Sequence, residues 1–310
     1  MPTAGLEVFF QPAAGAEGSC RLYLHHPPHG VTRGALLYVH PFAEEMNKSR
    51  RMAAMAARAL AERGFGVLQI DLLGCGDSSG DFSDATWDAW IEDVVSAFRW
   101  LAERYPKTPV WLWGLRVGAL LCRDAATKLP HGAPNFLFWQ PSLNGRLVLA
   151  QFLRLRATAA MNDGGSKSIL EGVRADLASG QHVHIAGYSL GAALASGLES
   201  AALEPPPCGH ADAPADKTQV LWLEMSDSGD GALSPAAATC VDKWTSAGFE
   251  VRSFTATGPR FWQTVEIEDA PALIDVTIEA LTTSLAKLEV NANTNTDATE
   301  SVGRSAAHCP

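Results

Sequence analysis

The feature that most constrains this chain is a regular alternation of short apolar runs with longer amphipathic segments. Gly34 to Val39 (GALLYV) has strand length and no polar interruption. The Ala-rich stretch Ser49 to Arg63 has helical periodicity, and Gly66 to Ile70 (GVLQI) returns to strand character. A helix over Thr86–Arg104, a strand over Val110–Trp113, a helix over Val117–Lys128 and a strand over Asn135–Trp139 follow. Strands this uniformly apolar are covered on both faces. Their alternation with helices predicts an α/β fold, a mostly parallel central sheet with helices on both sides.

The rhythm breaks after Pro141. Gln151 to Glu204 reads as mostly helical and rich in small residues, interrupted at Asn162-Asp-Gly-Gly165, and Pro205-Pro-Pro207 opens a loop to Asp216. Alternation resumes with a strand over Gln219–Glu224, a helix over Pro235–Ala247, a strand over Glu250–Thr255 and a helix over Ala270–Leu288. The expected organisation is a core from 1–141 and 218–288, with 142–217 inserted as a helical cap between two core strands. Residues 289–310 read as a disordered tail, because Asn291 to Pro310 carries no large apolar side chain.

Composition narrows the partners. With 310 residues, 47% of them hydrophobic, the chain can bury a large core. A formal charge of -10 with scattered Lys and Arg argues against nucleic-acid binding. The six cysteines form no Cys-x-x-Cys pair, which fits reduced thiols better than disulfides or zinc. Met1 to Gln11 lacks a secretory pattern, and no run approaches the roughly 18 apolar residues of a membrane helix. The expectation is a cytoplasmic protein with a small-molecule partner, no integral membrane segment, no metal and no cofactor.

The chemistry-bearing positions follow the strands. His40-Pro41-Phe42 closes the first strand, Asp71-x-x-Gly74-x-Gly76-x-Ser78 follows the second, and Gly114-x-Arg116-x-Gly118 joins the third to its helix. That order resembles the α/β-hydrolase fold. There the first loop donates a backbone N–H to an oxyanion, and the Gly-x-nucleophile-x-Gly turn presents the nucleophile. Pro41 has no N–H, so the donor would be Phe42 or Ala43. His40 reads equally as a participant or as a simple strand end.

Arg116 stands where the nucleophile belongs. A guanidinium stays protonated and cannot attack, but it can grip a carboxylate, a phosphate or a sugar acid. Being partly buried, it needs an acid, and Glu44 or Glu45 on the opening loop would supply one. Glu224 and Asp227 are the candidates for the triad acid. No His follows the last strand, where Gly258-Pro-Arg-Phe-Trp262 stands instead, and the one His beyond residue 210 is His308. A second Gly-x-Ser-x-Gly match, Gly187-Tyr-Ser189-Leu-Gly191, lies inside the cap. Ser189 there reads as a helix N-cap or, as the minority reading, a nucleophile. The loop Gly74–Gly80 reads as a turn rather than a phosphate cradle, and nothing beside Cys75 in sequence would lower its pKa.

The run His40-Pro-Phe-Ala-Glu-Glu-Met-Asn-Lys-Ser-Arg-Arg51, with Asp71–Ser78, Trp113–Arg116, Trp139-Gln-Pro141, Asn144-Gly145 and Phe261-Trp-Gln263, resembles the exosortase A system-associated hydrolase 2 family. The resemblance covers about Phe9 to Leu285. It implies a bacterial cytoplasmic protein linked to exopolysaccharide systems, with Arg at the elbow as a family trait and an acidic residue common at the position of Ser189.

Two functions follow as expectations. One is an ester or thioester hydrolase or acyl-transfer enzyme, with Ser189 as nucleophile, Phe42 as oxyanion donor and Glu224 or Asp227 as acid. The other is a catalytically inactive hydrolase-fold protein that binds an acidic sugar or lipid ligand through Arg116, with Glu44 or Glu45.

Overall fold

The computed structural model of the chain describes residues 5–13, 17–129, 134–159, 166–207, 218–226 and 231–286. The core elements, in chain order, begin with β1 (Glu7–Pro12), β2 (Cys20–His26), β3 (Gly34–Val39), α1 (Glu44–Glu62), β4 (Phe65–Ile70) and α2 (Trp87–Arg104). They continue with β5 (Val110–Leu115), α3 (Val117–Ala126) and β6 (Asn135–Trp139). The segment before the next core strand holds α4 (Gly145–Ala159), α5 (Ser166–Ala178), β7 (Val183–Ile185), β8 (Tyr188–Leu190) and α6 (Ala192–Ser200). The core closes with β9 (Gln219–Ser226), α7 (Pro235–Ser246), β10 (Glu250–Thr257) and a helix over 271–286.

Eight strands form one sheet in the order β1-β2-β4-β3-β5-β6-β9-β10. The pairs β1–β2 and β2–β4 are antiparallel and all the others parallel. This is the mostly parallel sheet expected from the alternation, in the α/β-hydrolase fold that the motif order resembles. Side chains alternate across the sheet, so each face carries its own core. Leu37, Leu112, Phe138 and Trp222 pack with α2, α3 and α7, while Leu36, Trp113, Trp139 and Leu223 pack with α1 and the 271–286 helix.

Local chemistry sets the helix starts. Thr86 caps α2 by accepting the Ala89 N–H at 3.0 Å, and Ser234 caps α7 with Pro235 in its first turn. α1 begins at Glu44, five residues before the helix read from the sequence. Its polar first turn, Glu44-Glu45, hid the start, although two acids there suit the positive end of a helix. The sequence reading also passed over β1 and β2. β2 buries Arg21, His25 and His26, and β1 alternates half-buried with exposed side chains, so neither shows an apolar run.

A tight backbone contact forms where α3 leaves the sheet. A Cβ on Gly114 would lie 2.5 Å from the Ala119 backbone, and one on Gly118 would strike the Val39 carbonyl oxygen. Gly118→Ala is therefore expected to destabilise the fold by about 3 kcal/mol, since backbone cannot move aside as a flexible side chain can. Gly172→Ala, in α5 with nothing near its Cβ, is expected to stabilise by about 0.5–1 kcal/mol. Chemical denaturation of the two variants tests the contrast.

Candidate functional site at the β5–α3 elbow

β3 and β5 are neighbours in the sheet, with Val39 opposite Gly114. Their chains leave toward α1 and α3, on opposite faces. In open α/β sheets a crevice forms at the carboxyl ends of such diverging strands. Here two helix N-termini flank the ends of β3 and β5. The residues that open those helices share one uncommon backbone geometry: Ala43 has φ 50 and ψ -126, and Arg116 has φ 54 and ψ -116. Neither is glycine, so each conformation is held by its surroundings. The Arg116 N–H donates to the Trp139 carbonyl at 3.1 Å, and its carbonyl accepts from Ser142 at 3.0 Å and Ala119 at 3.1 Å.

The Arg116 side chain meets Glu45 and leaves Glu44 outside. Its Nε lies 3.4 Å from each Glu45 carboxylate oxygen, with both side chains less than a fifth exposed. The guanidinium carbon sits 5.8 Å from the ring centre of Trp262, and the Gln263 side chain donates to Glu45. Burial raises the Glu45 pKa, while the Arg116 charge and the hydrogen bonds from Arg116 and Gln263 pull it back. Glu44 instead reaches Lys48, 3.8 Å away and one helical turn on, and its side chain is 47% exposed.

Several donors at this corner remain without acceptors among the described residues. The terminal Nη1 and Nη2 of Arg116 have none, nor do the backbone N–H groups of Phe42, Ala43 and Val117. The buried Ser142 hydroxyl and the buried Trp262 indole N–H are likewise unpartnered.

Phe42 contributes packing as well as a free N–H. Its ring lies 5.1 Å from Phe152 on α4, 5.7 Å from Phe82 and 6.1 Å from Trp90, all edge-on. Tyr188 on β8 stacks against Phe82 at 4.9 Å and takes a hydrogen bond from Asn47 at 3.2 Å. The β6–β9 insertion is thus seated directly on the opening loop.

Other candidate residues fall elsewhere. Ser189 sits within β8, opposite His184 in a hairpin turned by Ala186 (φ 47) and Gly187 (φ 87). It is neither an elbow tip nor an N-cap: α6 begins at Ala192, with Gly191 at the cap position. Cross-strand neighbours share a face, yet no hydrogen bond joins the Ser189 and His184 side chains. His40 is also removed from the candidate binders. It is buried, Nδ1 donates to the Pro41 carbonyl at 2.8 Å and Nε2 accepts from the Leu72 N–H at 3.4 Å, so it ties two strand ends together.

Glu224 makes structural contacts. It lies inside β9, accepting from the Trp222 indole at 3.2 Å and the Ser234 N–H at 3.3 Å, and it anchors α7. Trp222 and Glu224 alternate with Leu223 and Met225, which pack with Trp262, so Glu224 faces away from the Trp262 side of the sheet. Asp227 lies outside the described residues. Cys75 is buried, and desolvation together with nearby Asp71 pushes its thiol up to about 12, which removes it as a nucleophile. Gly74 and Gly76 adopt positive φ in a turn organised by Asp71, which accepts from Arg50 and the Asp77 N–H at 3.1 Å.

Gln263, Trp262 and Ser142 escaped notice as site residues. The first two occupy the segment after the last strand, where a triad His was sought and found missing. The signal available was the unusual Trp-Gln pair in that slot.

Comparison with known proteins agrees with the fold. Residues 30–163 match the family described as serine aminopeptidase, S33. Human Protein ABHD12B is 33% identical over 143 residues, covering 41% of this chain and 38% of that protein, so the chain spans well under half the relative's length. Est1E from Butyrivibrio proteoclasticus, solved with ferulic acid, superposes with a TM-score of 0.57 at 13% identity, over 90% of this chain and 98% of that one. A soluble variant of monoglyceride lipase from Saccharomyces cerevisiae, solved with a substrate analog, gives 0.57 at 15% identity, over 92% and 96%. These likenesses show the α/β-hydrolase fold.

Burial of three imidazoles gives a pH prediction. Desolvation lowers the pKa of His25, His26 and His40 below the roughly 6.5 of an unfolded chain. The unfolded state then binds more protons, and stability falls as pH drops through that value, by at most about 1.4 kcal/mol per pH unit for each His. Glu45 and Asp93, raised by burial, act in the opposite sense at lower pH. Urea titrations at pH 7.5 and 5.5 should show the lower stability at 5.5; equal or greater stability there would contradict these assignments.

Proposed function

We propose that this chain is a ligand-binding member of the α/β-hydrolase superfamily, in which Arg116 holds the oxyanion of an acidic sugar or a lipid head group at the elbow. The observation that carries this reading is the Arg116 guanidinium, fixed by Glu45 through Nε, with Nη1 and Nη2 left without acceptors among the described residues. A planar guanidinium edge and adjacent helix N-terminal N–H groups suit a carboxylate or phosphate. Residues 142–217 act as a cap over this corner, a role supported by the packing of Phe152 and Tyr188 around Phe42 and Phe82. The resemblance to the exosortase-associated family supports a ligand drawn from exopolysaccharide chemistry and a cytoplasmic setting.

The competing reading is an ester or thioester hydrolase acting through Ser189, and the serine aminopeptidase match and the esterase and lipase neighbours favour it. Against it stand the elbow position, held by a group that cannot attack, and the separation of Ser189 from a hydrogen-bonded base.

Calorimetric titration with D-glucuronate and with glycerol 1-phosphate separates a sugar acid from a head-group phosphate. Saturable binding of either, weakened at least about tenfold in Arg116→Gln, is the expected result. Fluorophosphonate treatment mapped by peptide mass should leave Ser189 unmodified. A stoichiometric Ser189 adduct under conditions that label a control esterase would overturn the binding reading in favour of the hydrolase.

A further inference from the structure

The elbow site contains a carboxylate of its own, and that shapes what it can accept. Glu45 occupies the Nε edge of Arg116 through both oxygens at 3.4 Å. The groups facing it are the Arg116 guanidinium from the elbow, the Gln263 amide from the loop after β10, and the Glu44 carboxylate on its own helix, itself near Lys48 at 3.8 Å. The single cation facing Glu45 is thus already shared with a carboxylate before any ligand arrives.

A second anion on the Nη edge would sit on the same guanidinium as Glu45, in a corner where both side chains are less than a fifth exposed. Two like charges that close, weakly screened by water, cannot both remain ionised at neutral pH without a large penalty. The relief available is protonation of Glu45. The protonated carboxyl then becomes a donor toward the incoming oxyanion, and Arg116 is left to serve one negative charge.

We propose that Glu45 makes anion capture at Arg116 proton-coupled, so that the site takes an oxyanion together with one proton. This rests on the Arg116 binding reading and deepens it. The ligands favoured are those that arrive singly charged or in an acidified environment, and a dianion is disfavoured unless it brings its own proton. Burial already moves Glu45 in this direction before any ligand arrives.

The experiment is calorimetry of the full chain with D-glucuronate and with methanesulfonate, single anions that stay ionised from pH 5.5 to 8. Wild type is expected to bind more weakly as pH rises, approaching about tenfold per pH unit where Glu45 is ionised in the free protein. Proton uptake, read from buffers of different ionisation enthalpy, should approach one per ligand. Glu45→Gln should bind more tightly than wild type at pH 8, with a flat pH profile and no uptake. Wild-type binding with a flat profile and no uptake overturns the inference without any variant, as does a Glu45→Gln protein that keeps the slope. Absence of saturable binding by wild type at every pH removes the Arg116 reading itself, and this inference with it.

Discussion

The contact on which this structure depends is the approach of α3 to the ends of β3 and β5. Gly118 lies against the Val39 carbonyl and Gly114 against the backbone of Ala119, so the chain can turn within a single residue. That residue is Arg116, held at φ 54 and ψ -116. The turn places its side chain at the diverging ends of β3 and β5, where it meets Glu45, and the Val117 N–H beside it has no acceptor among the described residues. In the superfamily the same turn serves a nucleophile. Here the backbone of that device is intact while the side chain does something a nucleophile cannot do: it carries a permanent positive charge. Ala43, with nearly the same dihedral angles at the head of α1, completes the arrangement from the neighbouring strand.

Electrostatics then decides what the corner can be. A partly buried guanidinium without an acid is costly, and Glu45 answers it. The answer is incomplete, because only Nε is engaged and at a long 3.4 Å. An ion pair with purely structural duty would gain more by presenting the two-nitrogen edge to the carboxylate, as Arg51 does with Asp269 through Nε and Nη2 at 2.8 Å. The contrast between these two arginines, one fully engaged at the surface and one half-engaged in the crevice, is the physical reason to read Arg116 as a binding group.

Most of the fold could be read from residues 34–139 and 219–288, because buried parallel strands are uniformly apolar and contrast sharply with the helices between them. The same rule hid β1 and β2, where antiparallel pairing at the sheet edge lets His25, His26 and Arg21 enter a strand. At the site, Arg116 was legible because glycine spacing announces the elbow. Its partner was legible only as a choice between Glu44 and Glu45. Which of the two faces inward depends on where α1 starts, and propensity does not set that start. Gln263 was illegible as a partner because 218 residues separate it from Glu45, and only the docking of the segment after β10 brings them together. Ser189 misled for the converse reason. A Gly-x-Ser-x-Gly string describes an elbow only when a core strand precedes it, and here its first glycine forms a type I′ turn between two short strands.

At this corner the usual hydrolase constellation lacks more than one member among the described residues. Acyl transfer needs a nucleophile, a base to activate it and an acid to orient the base. The elbow position carries Arg116, the slot for the base carries Trp262 and Gln263, and the strand expected to supply the acid spends Glu224 on anchoring α7. A single Arg116→Ser reversal would leave a serine with no imidazole among its described neighbours and Glu45 without its cation. The replacements also fit one another: Trp262 lies against the guanidinium that Glu45 holds, and Gln263 hydrogen-bonds the same Glu45. The residues at the elbow and in the base slot thus form, with Glu45, one connected cluster around a single positive charge. That mutual fit, more than the missing serine, supports the reading of the elbow as an anion site.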